Sequence, residues 1–210
     1  KIKFIQNKSL ELSLFLCLPA TFALLISSEE ITSALFGYGS FDYQSVKNSS
    51  DALYFFAIGL PAFALIKVFS SYIFARHNTH TPFIYSVYSV IINICISLYF
   101  FSDMGFIIIP IATTISSWFN AVILFSYLIK KNYFIFDNVL NFSIVKIIFV
   151  SIVTSYLFYQ LISYFQEFLV YESKYKLLTI ILIVSITAFI YMLISILTKA
   201  FKISDIKLKY

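Results

Sequence analysis

Side chains able to do covalent chemistry are scarce in this 210-residue sequence, and their spacing excludes most of it. The two histidines, His77 and His80, share the segment Arg-His-Asn-Thr-His-Thr-Pro at 76–82, with no acid near them in sequence. Two solvated loop histidines are the expectation. No Ser-His-Asp set can be assembled, and GxSxG is absent. Cys17 and Cys95 show neither CxxC spacing nor a histidine partner, so no metal site and no cofactor are expected. Each reads instead as a small apolar side chain. The four glycines, Gly37, Gly39, Gly59 and Gly105, form neither a P-loop nor GxGxxG. What remains is one cation inside an apolar run, Lys67, and two amides, Asn93 and Asn120.

Those three residues matter because of what surrounds them. The chain is 60% hydrophobic and 12% charged, about half the charge of an ordinary soluble domain. That is too little to cover a compact surface, so a soluble enzyme and a disordered chain are both excluded. Uncharged runs occupy 12–28, 83–102, 104–129, 147–166 and 177–198, and a sixth at 52–75 is interrupted only by Lys67. Crossing the hydrocarbon core takes about 20 apolar residues in helix. Inside lipid each backbone amide must pair within its own segment, so the runs are expected to be helices. The fold class is therefore all-α, a polytopic membrane protein with six transmembrane helices. No run carries a nucleophile beside an acid or base, which argues against an intramembrane enzyme.

A charge at the membrane centre costs at least a few kcal/mol. Lys67 lies nine residues before Arg76, about 13 Å along a helix at 1.5 Å per residue. Two roles fit it: the stem snorkels to the interface, or the ammonium serves a hydrated, anion-attracting cavity. Asn93 and Asn120 suit hydrogen bonds across helices. Pro19, Pro61 and Pro110 fall in or beside runs, where proline removes an amide donor and kinks or breaks a helix. Packing alone also tolerates proline in membrane helices.

The cations set an orientation. Eleven of the fifteen Lys and Arg fall on one side of the alternating runs: Lys1, Lys3, Lys8, Arg76, Lys130, Lys131, Lys146, Lys199, Lys202, Lys207 and Lys209. Lys47, Lys174 and Lys176 fall on the other, with most of the acids. The positive-inside rule places both termini in the cytoplasm. The net charge of +5 is then a topology signal, and no nucleic-acid partner is expected. Lys1 to Lys8 before an apolar run resembles a signal peptide, but the run continues to Ser28 and five more follow. Since the chain opens on Lys1, an internal boundary of something longer is the expectation.

The first connection outside, 29–50, holds Ser-Ala-Leu-Phe-Gly-Tyr-Gly-Ser-Phe-Asp at 33–42. Gly37 and Gly39 permit turns with positive φ, while Leu35, Phe36 and Phe41 are placed to anchor the loop on helix ends or membrane. Asp42 is a candidate N-cap of a short element, and Ser50 a cap for a helix starting near Asp51.

These residues resemble a family. Segment 35–42, with Gly37, Gly39 and Phe41, is similar to the turn after one helix in the MurJ (MviN) lipid II flippases. Segment 59–68, with Gly59 and Pro61, resembles that family's next helix. Segment 74–82, with Arg76, Thr81 and Pro82, is similar to its cytoplasmic turn, and Trp118 with Asn120 matches a pattern further on. The likeness covers about 10–131 well; the last two runs match in number and hydrophobicity.

The resemblance implies a fourteen-helix transporter of two six-helix lobes plus two extra helices, in the superfamily of drug exporters and oligosaccharide-lipid flippases. Residues 1–131 would be the last four helices of the second lobe. Residues 132–210 would be the two additional helices, forming a lipid-tail groove, with a cytoplasmic tail. The implied substrate is lipid II, an undecaprenyl-pyrophosphate-linked disaccharide pentapeptide, moved across the bacterial inner membrane by alternating access. A pyrophosphate needs paired cations in a low-dielectric cleft; this chain retains only Lys67 and Arg76 as matching cations, substrate-path candidates of which neither would be the core of the substrate site. The family's essential arginines lie in helices that this chain lacks. It is therefore expected to need the missing N-terminal half, and a truncated or split reading frame fits as well. Two alternatives stay open: a flippase of another lipid-linked oligosaccharide, or a non-transporting remnant.

Overall fold

A computed structural model of the chain describes residues 2–135 and 137–200. Lys1, Lys202, Lys207 and Lys209, counted among the flanking cations, lie outside the described residues. The described chain is helical, with no strand: α1 (Ile2–Phe36), α2 (Tyr43–Phe74), α3 (His80–Met104), a 3-10 turn (Gly105–Ile107), α4 (Ile108–Lys130), α5 (Asn138–Tyr164), α6 (Gln166–Leu169) and α7 (Lys176–Leu197). Five stretches among the described residues are long and apolar enough to cross a membrane. The third, His80–Lys130, contains both α3 and α4, so two of the expected runs fall within it.

Several boundaries differ from expectation, for one physical reason. Polar residues at a helix end suggest loop, yet here they continue the helix. α1 runs past Ser28 to Phe36, so Glu29 and Glu30 are helical. Its break falls at Ser27 (φ −135°, ψ 39°), eight residues beyond Pro19. There the Ser27 Oγ donates back to the Ala23 carbonyl at 3.0 Å, a bond that often accompanies bending. Pro61 lies inside α2, and Pro110 is the third residue of α4, in the first turn where a missing N–H costs least.

α2 starts at Tyr43 and not near Asp51. Asp42 caps it, its Oδ1 accepting the Ser45 N–H at 2.8 Å. Ser50 caps nothing; it is buried within α2, donating to the Lys47 carbonyl. The Ser45 bond favours the carboxylate and holds the Asp42 carboxyl below its usual range. A lowered folded-state pKa makes this contribution present above the unfolded-state value and lost as pH falls through the folded one. Hydrogen exchange in the first turn of α2, corrected for intrinsic rates, is therefore expected to quicken at acidic pH. Asp42→Asn keeps an acceptor without the charge and should flatten that response.

By contacts the chain forms two units. The first comprises 1–17 and 55–140, the second 18–54 and 141–210. In the first, α3 and α4 form an antiparallel hairpin, which the rising and falling residue numbers of its cross-bonds establish. Ser89 Oγ donates to the Ser116 carbonyl at 2.6 Å, and Asn93 Nδ2 to Thr113 Oγ1 at 2.9 Å. Gly105, at φ +61°, ends α3 in a conformation that favours glycine. Asn93 thus makes its expected cross-helix bond. Asn120 does not fully: it is buried, but its Oδ1 has no partner.

α2 joins this hairpin through a close approach. The Cβ of a residue replacing Gly59 would lie 2.9 Å from Thr114 Oγ1. Thr114 Oγ1 donates to the Phe55 carbonyl at 2.7 Å, and Trp118 Nε1 to the Ile58 carbonyl at 3.1 Å. Small side chains, not apolar bulk, bring membrane helices together, and these donors on α4 stitch the contact.

The second unit packs Ala34, Phe158, Ile162, Leu169, Ile180 and Ile183 into a core. Its polar centre is Lys176, 1% exposed at the start of α7. The Nζ donates to the Gly37 carbonyl at 2.6 Å and the Tyr171 carbonyl at 2.7 Å. It also sits 4.4 Å from the Tyr38 ring centre and 4.5 Å from that of Tyr171. Gly37 is required by this crowding and not by a positive φ: an added Cβ would meet Ser33 O at 2.6 Å and the Lys176 Nζ at 3.1 Å. Gly39 does adopt the expected positive φ, +62°. Phe41 supplies a carbonyl that accepts the Tyr171 hydroxyl at 2.8 Å, and its ring lies 6.4 Å from that of Phe36.

Candidate functional site

Lys67 opens onto a groove of ≈ 740 Å³ in the first unit. α2 contributes Lys67, Ser70 and Phe74; the turn and the start of α3 contribute Thr79, His80 and Phe83. The Lys67 side chain is exposed and has no hydrogen bond or ion pair among the described residues. His80 is the first residue of α3 and not a loop residue. An ammonium, hydroxyls and two phenylalanine rings in one open groove suit an amphiphile with an anionic head.

Lys67 and Arg76, the two matching cations, stand in different surroundings. Arg76 does not line the groove. Its guanidinium lies 3.9 Å over the Tyr133 ring, and Nη2 donates to the Tyr133 carbonyl at 2.9 Å. A guanidinium engaged both by its face and by its edge is a clamp. It ties the segment after α4 to the turn between α2 and α3, where His77 takes φ 58°. The Tyr72 ring stacks on Phe134 at 5.9 Å beside it.

Thr81 and Pro82 shape the same turn. Asn78 Oδ1 accepts the Thr81 N–H at 3.1 Å, while Nδ2 donates to Thr81 Oγ1 at 2.9 Å and to the Tyr127 hydroxyl at 3.0 Å. Pro82 is buried in the first turn of α3 and lines the groove. Asn78 thus does the capping that Thr79 does not. Its replacement by alanine is expected to cost about 1–2 kcal/mol, the upper range for a lost cap, read as a lower melting temperature in detergent. Asn78→Asp, which retains the acceptor, should recover part of it.

Sequence reasoning missed a buried polar group in the first unit. Glu11 is 7% exposed within the apolar stretch Lys3–Phe36, paired with Lys8 at 2.8 Å. Lys67 is therefore not the sole ionisable residue in such a stretch. Glu11 lies one residue before the uncharged run that begins at Leu12, and its i, i+3 spacing to Lys8 is the local signal in the sequence. Gln6 is buried too, its carbonyl accepting the Tyr72 hydroxyl.

Comparison with known proteins agrees with this architecture. A family described as "Lipid II flippase MurJ" matches residues 1–180. A probable lipid II flippase MurJ of Rickettsia prowazekii (strain Madrid E) is 32% identical over 176 residues, covering 84% of this chain and 34% of that protein. The one from Rhizobium meliloti (strain 1021) is 40% identical over 129 residues, 61% of this chain and 24% of that protein. The chain thus spans a quarter to a third of the length of these relatives. A solved structure of a lipid II flippase MurJ in an inward closed conformation shares the fold, with a TM-score of 0.75 over 94% of this chain and 39% of that one, at 23% identity.

Proposed function

Since the chain belongs to the lipid II flippase MurJ family, a family of transporters and not of enzymes, we propose that it forms part of a machine that moves a pyrophosphate-linked lipid across the inner membrane. In this reading α3 and α4 are separate passes, making six, and both termini are cytoplasmic, which the excess of flanking cations supports. In this reading residues 1–131 serve the second lobe of a fourteen-helix transporter. Residues 132–210 add two helices whose outer faces, including Phe149 and Phe189, run beside the lipid tail. The relatives' additional length carries the remainder of the path.

The observation that supports this reading is the unpaired Lys67 ammonium in a groove with apolar walls. A cation already neutralised by a carboxylate gains little from a phosphate; an unpaired one gains a charge-assisted hydrogen bond. Alternating exposure of such a groove needs no covalent step. Arg76, clamped on Tyr133, holds the groove's rim and does not touch the substrate.

The test places substitutions in a full-length transporter of this sequence, in a strain depleted of its own flippase. Lys67→Ala is expected to impair growth and Lys67→Arg to sustain it at equal protein level. Normal growth of the alanine variant reduces Lys67 to a snorkelling residue and removes the support for the groove.

A further inference from the structure

The groove beside Lys67 holds a second nitrogen-bearing side chain, the His80 imidazole, contributed from the far side of the turn. Lys67 stands seven residues before the last residue of α2, about 10 Å from the turn at 1.5 Å per residue. His80 opens α3 at the turn itself. The two groups therefore mark opposite ends of the groove. Ser70, three residues nearer the turn than Lys67, and Thr79, beside His80, add hydroxyls along its length.

None of these polar side chains is already engaged. Those of Lys67, Ser70, Thr79, His80 and Ser86 make no hydrogen bond or ion pair among the described residues. Other helical hydroxyls of the first unit bond their own backbone instead. Ser71, adjacent to Ser70, donates to the Lys67 and Val68 carbonyls at 3.0 and 2.8 Å, and Ser126 to the Val122 carbonyl at 2.8 Å. No carboxylate lines the groove to compete for the ammonium. Arg76 and His77, the other basic residues of the turn, do not line it either, and Arg76 is held by Tyr133.

Phosphate oxygens accept charge-assisted hydrogen bonds of about 2.7–2.9 Å, so a single phosphate seated on Lys67 leaves the far end of the groove empty. Two phosphates in series extend toward His80. An imidazole suits that outer contact because it presents an N–H whether neutral or protonated. Phe74, which ends α2, and Phe83, one turn into α3, stand exposed beside His80 and give a carbon chain an apolar wall. We propose that His80 is the second phosphate contact of this groove, through which it selects a diphosphate-headed amphiphile over one with a single phosphate. His80 plays this part only if Lys67 is a phosphate-binding cation, as proposed above.

The test is calorimetric titration of the full chain in phosphatidylcholine nanodiscs, with lipid-only nanodiscs as the blank. The ligands are farnesyl diphosphate, farnesyl monophosphate and inorganic pyrophosphate. The unaltered chain is expected to bind farnesyl diphosphate about tenfold more tightly than the monophosphate, which lacks the outer contact. Inorganic pyrophosphate, with no carbon chain for the phenylalanine rings, should bind about tenfold more weakly than farnesyl diphosphate. His80→Ala should weaken the diphosphate about tenfold and the monophosphate by less than about twofold. His80→Gln keeps an N–H donor and should restore about half of the discrimination. Lys67→Ala should weaken both farnesyl ligands together, about tenfold. All three substitutions fall on exposed side chains, so melting should stay near that of the unaltered chain. Undiminished discrimination in His80→Ala overturns the role of His80 and leaves that of Lys67 standing. Equal binding by Lys67→Ala and the unaltered chain overturns both. Inorganic pyrophosphate binding as tightly as farnesyl diphosphate overturns the amphiphile as occupant, in favour of a free anion.

Discussion

Lys176→Met is expected to lower the stability of the second unit by about 2–5 kcal/mol. The substitution keeps the length of the stem and removes the ammonium, leaving the Gly37 and Tyr171 carbonyls without their donor. Each unsatisfied buried acceptor costs about 1–3 kcal/mol, and the two aromatic contacts are lost as well. In a chain of this length that is roughly 5–15 °C of melting temperature. Lys176→Arg should not rescue, because a planar fork does not fit between two ring faces and two carbonyls set for a point charge. Unchanged melting of the methionine variant would mean that water replaces the ammonium, and the cage would then be incidental. Gly37→Ala should act on the same contacts, since its Cβ meets Ser33 O and the Lys176 Nζ. The double variant is therefore expected to cost less than the two single costs added together.

Gly59→Val is expected to cost about 2–3 kcal/mol in the first unit, in spite of the better helix propensity of valine. Leaving glycine returns only a few tenths of a kcal/mol for a β-branched residue. Against it stand a Cβ 2.9 Å from Thr114 Oγ1 and 3.2 Å from the Phe63 ring, and overpacking of this kind costs about 1–3 kcal/mol. Thr114 cannot swing away freely, because its hydroxyl is bonded to the Phe55 carbonyl. Separating the helices to make room would also stretch the Trp118–Ile58 bond. Gly59→Val with Thr114→Ala should regain more than half of the loss. Equal melting of Gly59→Val and the unaltered chain would show that α2 and α4 are not in contact there.

The helices were legible because each needs about twenty apolar residues and the charges flank them. Their ends were not. Glu29, Glu30, Gln44, Lys47 and Asn48 look like loop residues, yet they lie in α1 and α2, since polar side chains at a membrane surface leave the backbone free to stay helical. The cap at Asp42 was legible from its type and place. The Lys176 cage was not, for it joins residues 139 apart and no local pattern encodes such a pair. Lys67 stood out as a lone cation, and its neighbours across the turn lie within reach of that reading. Arg76 carries the same charge, and its stacking on Tyr133, 57 residues away, has no local signal in the sequence.

The α3–α4 hairpin is pinned along its length, by Ser89 and Asn93 midway and by Asn78 and the Arg76 clamp at one extremity. Sliding one arm past the other would rupture several bonds at once, with no water inside lipid to replace them. The two arms are thus expected to behave as one rigid piece in any rearrangement, the turn around Asn78 included.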